Sequence, residues 1–157
     1  MDASYDPAKA VNHWIAVMTK LQAEACQDGS YLRLSDGSGM GLGDLLPGDG
    51  VLLYANRNSH IAVEFTHDFV GIGVVTGEAP YQADGPGGRP EWRLACAWSP
   101  VAVPVSVWGL REELSVTARK GRRWGLVFRQ SLVQIPRTDF ERVARELWVA
   151  PPTRTAV

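Results

Sequence analysis

The sequence predicts an α+β domain built on a mixed or mostly antiparallel sheet that closes into a barrel. Three observations carry that expectation. Short apolar or alternating segments, separated by Gly- and Pro-rich turns, recur from Tyr31 to Ile135, as strands joined by tight connections do. One amphipathic segment, Thr138–Leu147, has helical spacing. At 157 residues, with 45% hydrophobic and 21% charged side chains, the chain fits one domain with a sizeable core.

Taken in order, Asp2–Ala10 reads as a poorly ordered lead-in. Val11, Trp14, Ile15, Met18 and Leu21 then follow helical spacing, so local pattern predicts a helix over Ala8–Cys26; Trp14–Thr19 equally suits a buried strand, being rich in aromatic and β-branched residues. Asp28-Gly29 is a turn signal, and Tyr31–Leu34 a brief strand. Ser35–Gly43 places glycine at 37, 39, 41 and 43, a loop able to bring backbone N–H groups to a ligand or simply a flexible surface loop. It lacks the G-K-[ST] ending of a P-loop and the third glycine of a dinucleotide fingerprint.

The stretch Leu46–Arg57 organises the rest. Pro47, Gly48 and Gly50 make a tight turn, Val51–Leu53 form a strand buried on both faces, and Tyr54, Asn56 and Arg57 bring polar groups to one edge of the core. An ordinary core strand with a solvated end is the competing reading. Beyond it, strands are predicted at Ile61–Thr66, Phe69–Thr76, Trp92–Trp98, Val101–Val107 (interrupted by Pro104) and Ser131–Ile135. Gly77–Pro90 is a loop carrying Tyr81, and Trp108–Leu114 a short helix. The final helix opens on a Thr138/Glu141 capping box, lines one face with Phe140, Val143, Ala144 and Leu147, pairs Arg142 with Glu146, and stops at Pro151-Pro152.

Chemistry narrows by exclusion. A net charge of −1 gives no global attraction to nucleic acid, so such contact rests on the one dense basic cluster, Arg119, Lys120, Arg122 and Arg123, as a phosphate contact; a solvated loop is the other reading. The two cysteines, Cys26 and Cys96, lack C-x-x-C spacing, so neither a zinc site nor a disulfide framework is expected, and no cofactor or metal is. No secretory leader and no run near ~20 apolar residues is read, which makes cytoplasmic residence without membrane contact the expectation. His60 and His67 belong to no zinc or hydrolase motif, although a dispersed triad is recognised by geometry alone. Six tryptophans imply a large aromatic core with one or two platforms for a planar ligand.

Several segments, in this order, resemble the EVE domain: His13–Thr19, Tyr31–Leu34, Pro47–Tyr54, Gly71–Val75, Gly77–Gln82, Trp92-Arg93, Pro104-Val105, Trp124-Gly125, Phe128-Arg129 and Leu132–Phe140. The match covers residues 12–148. It implies a PUA-like β-barrel with flanking helices, related to the YTH domains that read methylated adenine, and a single domain over 12–149 between an extension at 1–11 and a tail at 150–157. It makes Trp14–Thr19 the first strand and shrinks the first helix to Lys20–Gln27. It further implies a non-enzymatic reader of a modified base in DNA or RNA, flipped into an aromatic pocket at the barrel mouth, and association with restriction or modification systems. By position the pocket candidates are Trp14, Thr19, Tyr31, Tyr54, Asn56, Tyr81 and Trp92. One departure stands out: where many relatives carry His-Gly-Lys, this chain has Asp36-Gly37-Ser38, placing an acid and a hydroxyl at the site. The alternatives are a free nucleotide or other planar ligand, and a small hydrolase using His60 or His67.

Overall fold

The computed structural model describes residues 12–57, 65–101 and 103–149. The extension at 1–11, the tail at 150–157, His60 and most of the strand expected at Ile61–Thr66 lie outside the described residues. The fold is α+β. Strand β1 (His13–Thr19) runs into helix α1 (Lys20–Gly29), followed by β2 (Tyr31–Leu32), β3 (Gly50–Arg57), β4 (Phe65–Val75), β5 (Tyr81–Asp84), β6 (Pro90–Ser99), β7 (Val105–Ser106), β8 (Leu132–Ile135) and helix α2 (Arg137–Val149). The strands form one mixed sheet in the order β2-β6-β4-β3-β1-β8, with β5 added to β6 and β7 to β4; β1 is parallel to β3 and antiparallel to β8. The sheet curls as a half-barrel: the chain leaving β2 and the chain entering β8 meet through Ser35 Oγ and Ser131 Oγ, 3.0 Å apart.

Both faces of the central strands are covered. Ile15, Val17, Leu52 and Tyr54 join Phe69, Phe128 and the α2 face in one core; Trp14, Ala16, Met18, Val51 and Leu53 join Leu32, Leu94 and the buried side of α1 in the other. That explains the conflict at the N-terminus. A strand buried on two sides is apolar at every position, so a helical subset of its residues appears by coincidence. The helix read locally over Ala8–Cys26, whose first four residues lie outside the described residues, is from His13 on a strand followed by a shorter helix, capped where the two meet: Thr19 Oγ1 accepts from Gln22 N and Gln22 Oε1 from Thr19 N, a complete capping box.

Other departures have local causes. The Val101–Val107 strand is reduced to β7, because Pro104 offers no N–H to a ladder. The helix expected at Trp108–Leu114 is a 3-10 turn at Val107–Gly109 followed by turns. The loop Gly77–Pro90 contains β5, which hairpins onto β6 with Tyr81 opposite Arg93. Helix α2 starts at Arg137, so Thr138 sits inside its first turn; Asp139 instead accepts from Ser115 N, Ser115 Oγ and Val116 N, tying the helix to the preceding loop. Phe140, Val143, Ala144 and Leu147 are buried, and Arg142 Nη1 lies 2.8 Å from Glu146 Oε1.

The turn before β3 is fixed from inside. The fully buried Asp49 carboxylate accepts from Trp14 Nε1 and Leu46 N, both at 3.0 Å, and from Asn12 N at 3.3 Å. This locks the start of β3 against β1 and sets the register along which the site develops.

Candidate nucleic-acid interface

The register slips at the far end of β3. Along β1, Met18 pairs with Ala55 and Thr19 with Arg57; along β4, Asp68 pairs with Ala55 and Phe65 with Arg57. Asn56 is thus passed over by both neighbouring strands. Such a bulge re-aims a side chain out of the alternating pattern, and bulges concentrate beside functional sites. Here it carries the amide into the lining of a cleft of about 550 Å³. Asn56 Oδ1 is sealed from solvent and has no hydrogen-bond partner among the described residues. A buried carbonyl left in that state costs roughly 1–3 kcal/mol.

The rest of the cleft is aromatic on one side and polar on the other. Tyr54 and Phe128 form its floor, stacked face to face with ring centres 3.9 Å apart and planes 4° from parallel. Burial pushes the Tyr54 phenol above its ordinary range, and its oxygen lies 2.9 Å from His67 Nδ1. His67 and Trp124 stand above the floor with ring centres 5.9 Å apart at 69°, and Trp124 meets Phe128 edge-on at 6.4 Å. Ser35, Gln130 and Ser131 close the opposite side, at the seam where the curled sheet's two ends meet. Trp124 and Phe128 are delivered by the 3-10 segment Gly121–Arg129, which begins within the basic cluster. Arg119, Lys120, Arg122 and Arg123 are exposed, so cations precede the aromatic wall directly in the chain. A cleft walled by aromatic rings, with an amide carbonyl lacking a partner among the described residues and a cationic approach, can hold a planar heterocycle by stacking on one ring and read its edge by hydrogen bonds.

The other candidate residues are placed elsewhere. Trp14 is core, its indole N–H spent on Asp49. Thr19 caps α1. Tyr31 is buried beneath the Arg93 guanidinium, 4.1 Å above its ring. Asp36 closes a turn by accepting from Ser38 N at 3.0 Å, and that N–H holds its carboxyl below the ordinary range. Tyr81 is exposed on β5, and neither it nor Ser38 lines the cleft. Trp92 is covered on one side by Gly39, where a Cβ would come within 2.9 Å of the indole. The glycine-rich loop thus packs closely against a ring.

Tyr31, Thr19 and Asp36 instead line a second concavity of about 740 Å³ beside Glu91. Glu91 is buried and holds Arg33 at 2.7 Å and Arg93 at 2.8 Å, so these charges satisfy one another. Among the candidates, then, the structure brings together Tyr54 and Asn56, adds His67 from the hydrolase reading, and supplies Trp124, Phe128 and Gln130, which strand-and-motif reasoning did not single out as site residues. Trp124 and Phe128 carry a sequence signal in the dipeptides Trp124-Gly125 and Phe128-Arg129, and Trp124 also as one of the six tryptophans; Gln130 carries none.

No metal-binding group of His, Cys, Asp or Glu occurs among the described residues, and no described helix is long and apolar enough to cross a membrane. No family model matches the chain. A UPF0310 protein of Mesorhizobium japonicum is 29% identical over 143 residues, covering 90% of this chain and 94% of that one. Among solved structures, protein Atu2648 of Agrobacterium tumefaciens superposes with a TM-score of 0.53 at 16% identity, covering 94% of this chain and all of that one. The YTH domain of Zygosaccharomyces rouxii MRB1, solved in complex with N6-methyladenosine RNA, gives 0.53 at 14% identity over 93% of this chain and 95% of its own.

Proposed function

We propose that this chain is an EVE domain of the PUA-like superfamily and a non-enzymatic reader of a modified base in DNA or RNA, taking the base into the cleft lined by Trp124, Tyr54 and Phe128. The near full-length similarity to a UPF0310 protein and the shared fold with a YTH domain bound to N6-methyladenosine RNA support that reading. The observation that carries it is Asn56: a side chain passed over by two ladders at once, lining an aromatic cleft with a carbonyl that has no partner among the described residues. A base entering the cleft supplies the missing donor once the Asn56 side chain turns its sealed carbonyl to the opening. The Asn amide offers one acceptor and one donor, the complement of an adenine edge carrying an exocyclic N–H beside a ring nitrogen. A methyl group adds only a small apolar contact, so preference for the modified base rests on how tightly Trp124 and His67 close the slot.

The chemistry is recognition. Tyr54 fixes His67 through the phenol–imidazole contact, and together they orient the cleft wall. The basic cluster neutralises phosphates on approach, which makes affinity fall with salt. The test is fluorescence anisotropy with single-stranded DNA and RNA oligonucleotides carrying N6-methyladenine, 5-methylcytosine or the plain base. Preference for a modified base supports the assignment; equal or absent binding removes it. Competition by the free nucleoside as strong as by the oligomer moves it to a small planar ligand.

A further inference from the structure

The cleft does not account for Trp108. This indole is 53% exposed, yet it is held in place. Ser106 Oγ accepts from Trp108 N at 3.2 Å and fixes the backbone of its turn. The ring meets Trp124 at 4.8 Å and 63°, and His67 at 6.0 Å and 90°. Arg111 lies over both indoles, 5.0 Å from Trp108 and 5.9 Å from Trp124, and makes no ion pair among the described residues. A fixed, exposed tryptophan beside a guanidinium that makes no ion pair among the described residues is the composition of a recognition surface rather than of a solvated loop.

We propose that Trp108 is a second stacking platform, for the nucleotide adjacent to the one in the cleft, and that Arg111 binds the phosphate joining the two. This rests on the reader assignment above. The angle between the indoles gives the proposal its content. Bases in a continuous stack are parallel. Bases lying on Trp124 and Trp108 diverge by about the 63° that separates the rings, so the site accepts only a strand unstacked at that step. Single-stranded or locally opened nucleic acid satisfies this, and a paired, stacked neighbour does not. The footprint is therefore at least a dinucleotide, and the exposed cations Arg122 and Arg123 extend it along the backbone.

The experiment compares wild type, Trp108→Ala and Trp108→Phe against free N6-methyladenosine and 5-methylcytidine, and against single-stranded RNA and DNA octamers and a fully paired duplex bearing the same bases. Trp108→Ala is expected to weaken octamer binding roughly 5- to 150-fold, the range of one lost base–aromatic stack, and nucleoside affinity by far less, because Trp108 backs the cleft walls without lining the cleft. Trp108→Phe restores part of the loss, and wild type favours the single strand over the duplex in whichever nucleic acid it binds. Unchanged octamer affinity in Trp108→Ala overturns the proposal while leaving the cleft intact, as does an equal loss for nucleoside and octamer. Absence of all binding by wild type removes the reader assignment itself. Because Trp108 is exposed, thermal unfolding of the alanine variant provides the folding control.

Discussion

Asn56→Leu separates stability from function in opposite directions. The leucine side chain has nearly the shape of the amide and needs no hydrogen bond. In the native protein Asn56 Oδ1 is sealed from solvent without a partner among the described residues. Removing that carbonyl is therefore expected to stabilise the fold by about 1–3 kcal/mol. For a chain of this size this raises the melting temperature by about 2–4 °C per kcal/mol. The bulge that displaces residue 56 is set by the pairing of its neighbours, Met18 with Ala55 and Thr19 with Arg57, so it survives the change. The variant loses a cleft amide matched to a base edge, and affinity for a modified oligonucleotide drops by roughly 1–3 kcal/mol. Urea denaturation reads the first effect and anisotropy the second. A destabilised Asn56→Leu, or one that binds as tightly as wild type, refutes the idea that the unpartnered carbonyl is held ready for a ligand.

Trp124→Ala should weaken nucleoside and octamer alike, by roughly 1–3 kcal/mol, since its ring walls the cleft itself; selective loss of the octamer would place the base elsewhere. Asp49→Ala leaves at least the Trp14 Nε1 and Leu46 N donors buried without an acceptor and should cost about 2–5 kcal/mol in urea unfolding; a loss below about 1 kcal/mol would show the turn to be held by packing. Alkali should destabilise the protein through Cys26. Burial raises its thiol from the ordinary 9.0 to about 11, so the folded state keeps the proton while the unfolded chain ionises. The stabilisation is complete below pH 9.0, is lost as pH climbs to about 11, and amounts to about 3 kcal/mol. Burial pushes Cys96 and Tyr54 the same way and steepens the fall. Urea midpoints measured from pH 8 to 11 should decline less steeply in Cys26→Ala; parallel curves would show that this thiol is not the source.

The sequence alone determined what local periodicity can record. The face of α2 made by Phe140, Val143, Ala144 and Leu147 was legible because one side of a helix is wet, and β3 because its apolar run ends in polar groups at a turn. The polar end Tyr54–Arg57 was legible as a site by residue type. Its use was not. Nothing local shows that Phe128 covers the Tyr54 ring, that Trp124 arrives from the opposite half of the chain, or that Tyr81 lies on a separate hairpin. The first strand was ambiguous because both its faces are buried, which erases the alternation that marks a strand. Asn56 makes the division plain. Its identity is written in the chain, but its ejection from the ladder exists only once β1, β3 and β4 are paired. Register is a relation between strands distant in sequence, set by side chains that meet only in the folded core, so tertiary structure alone decided which amide was left without a partner.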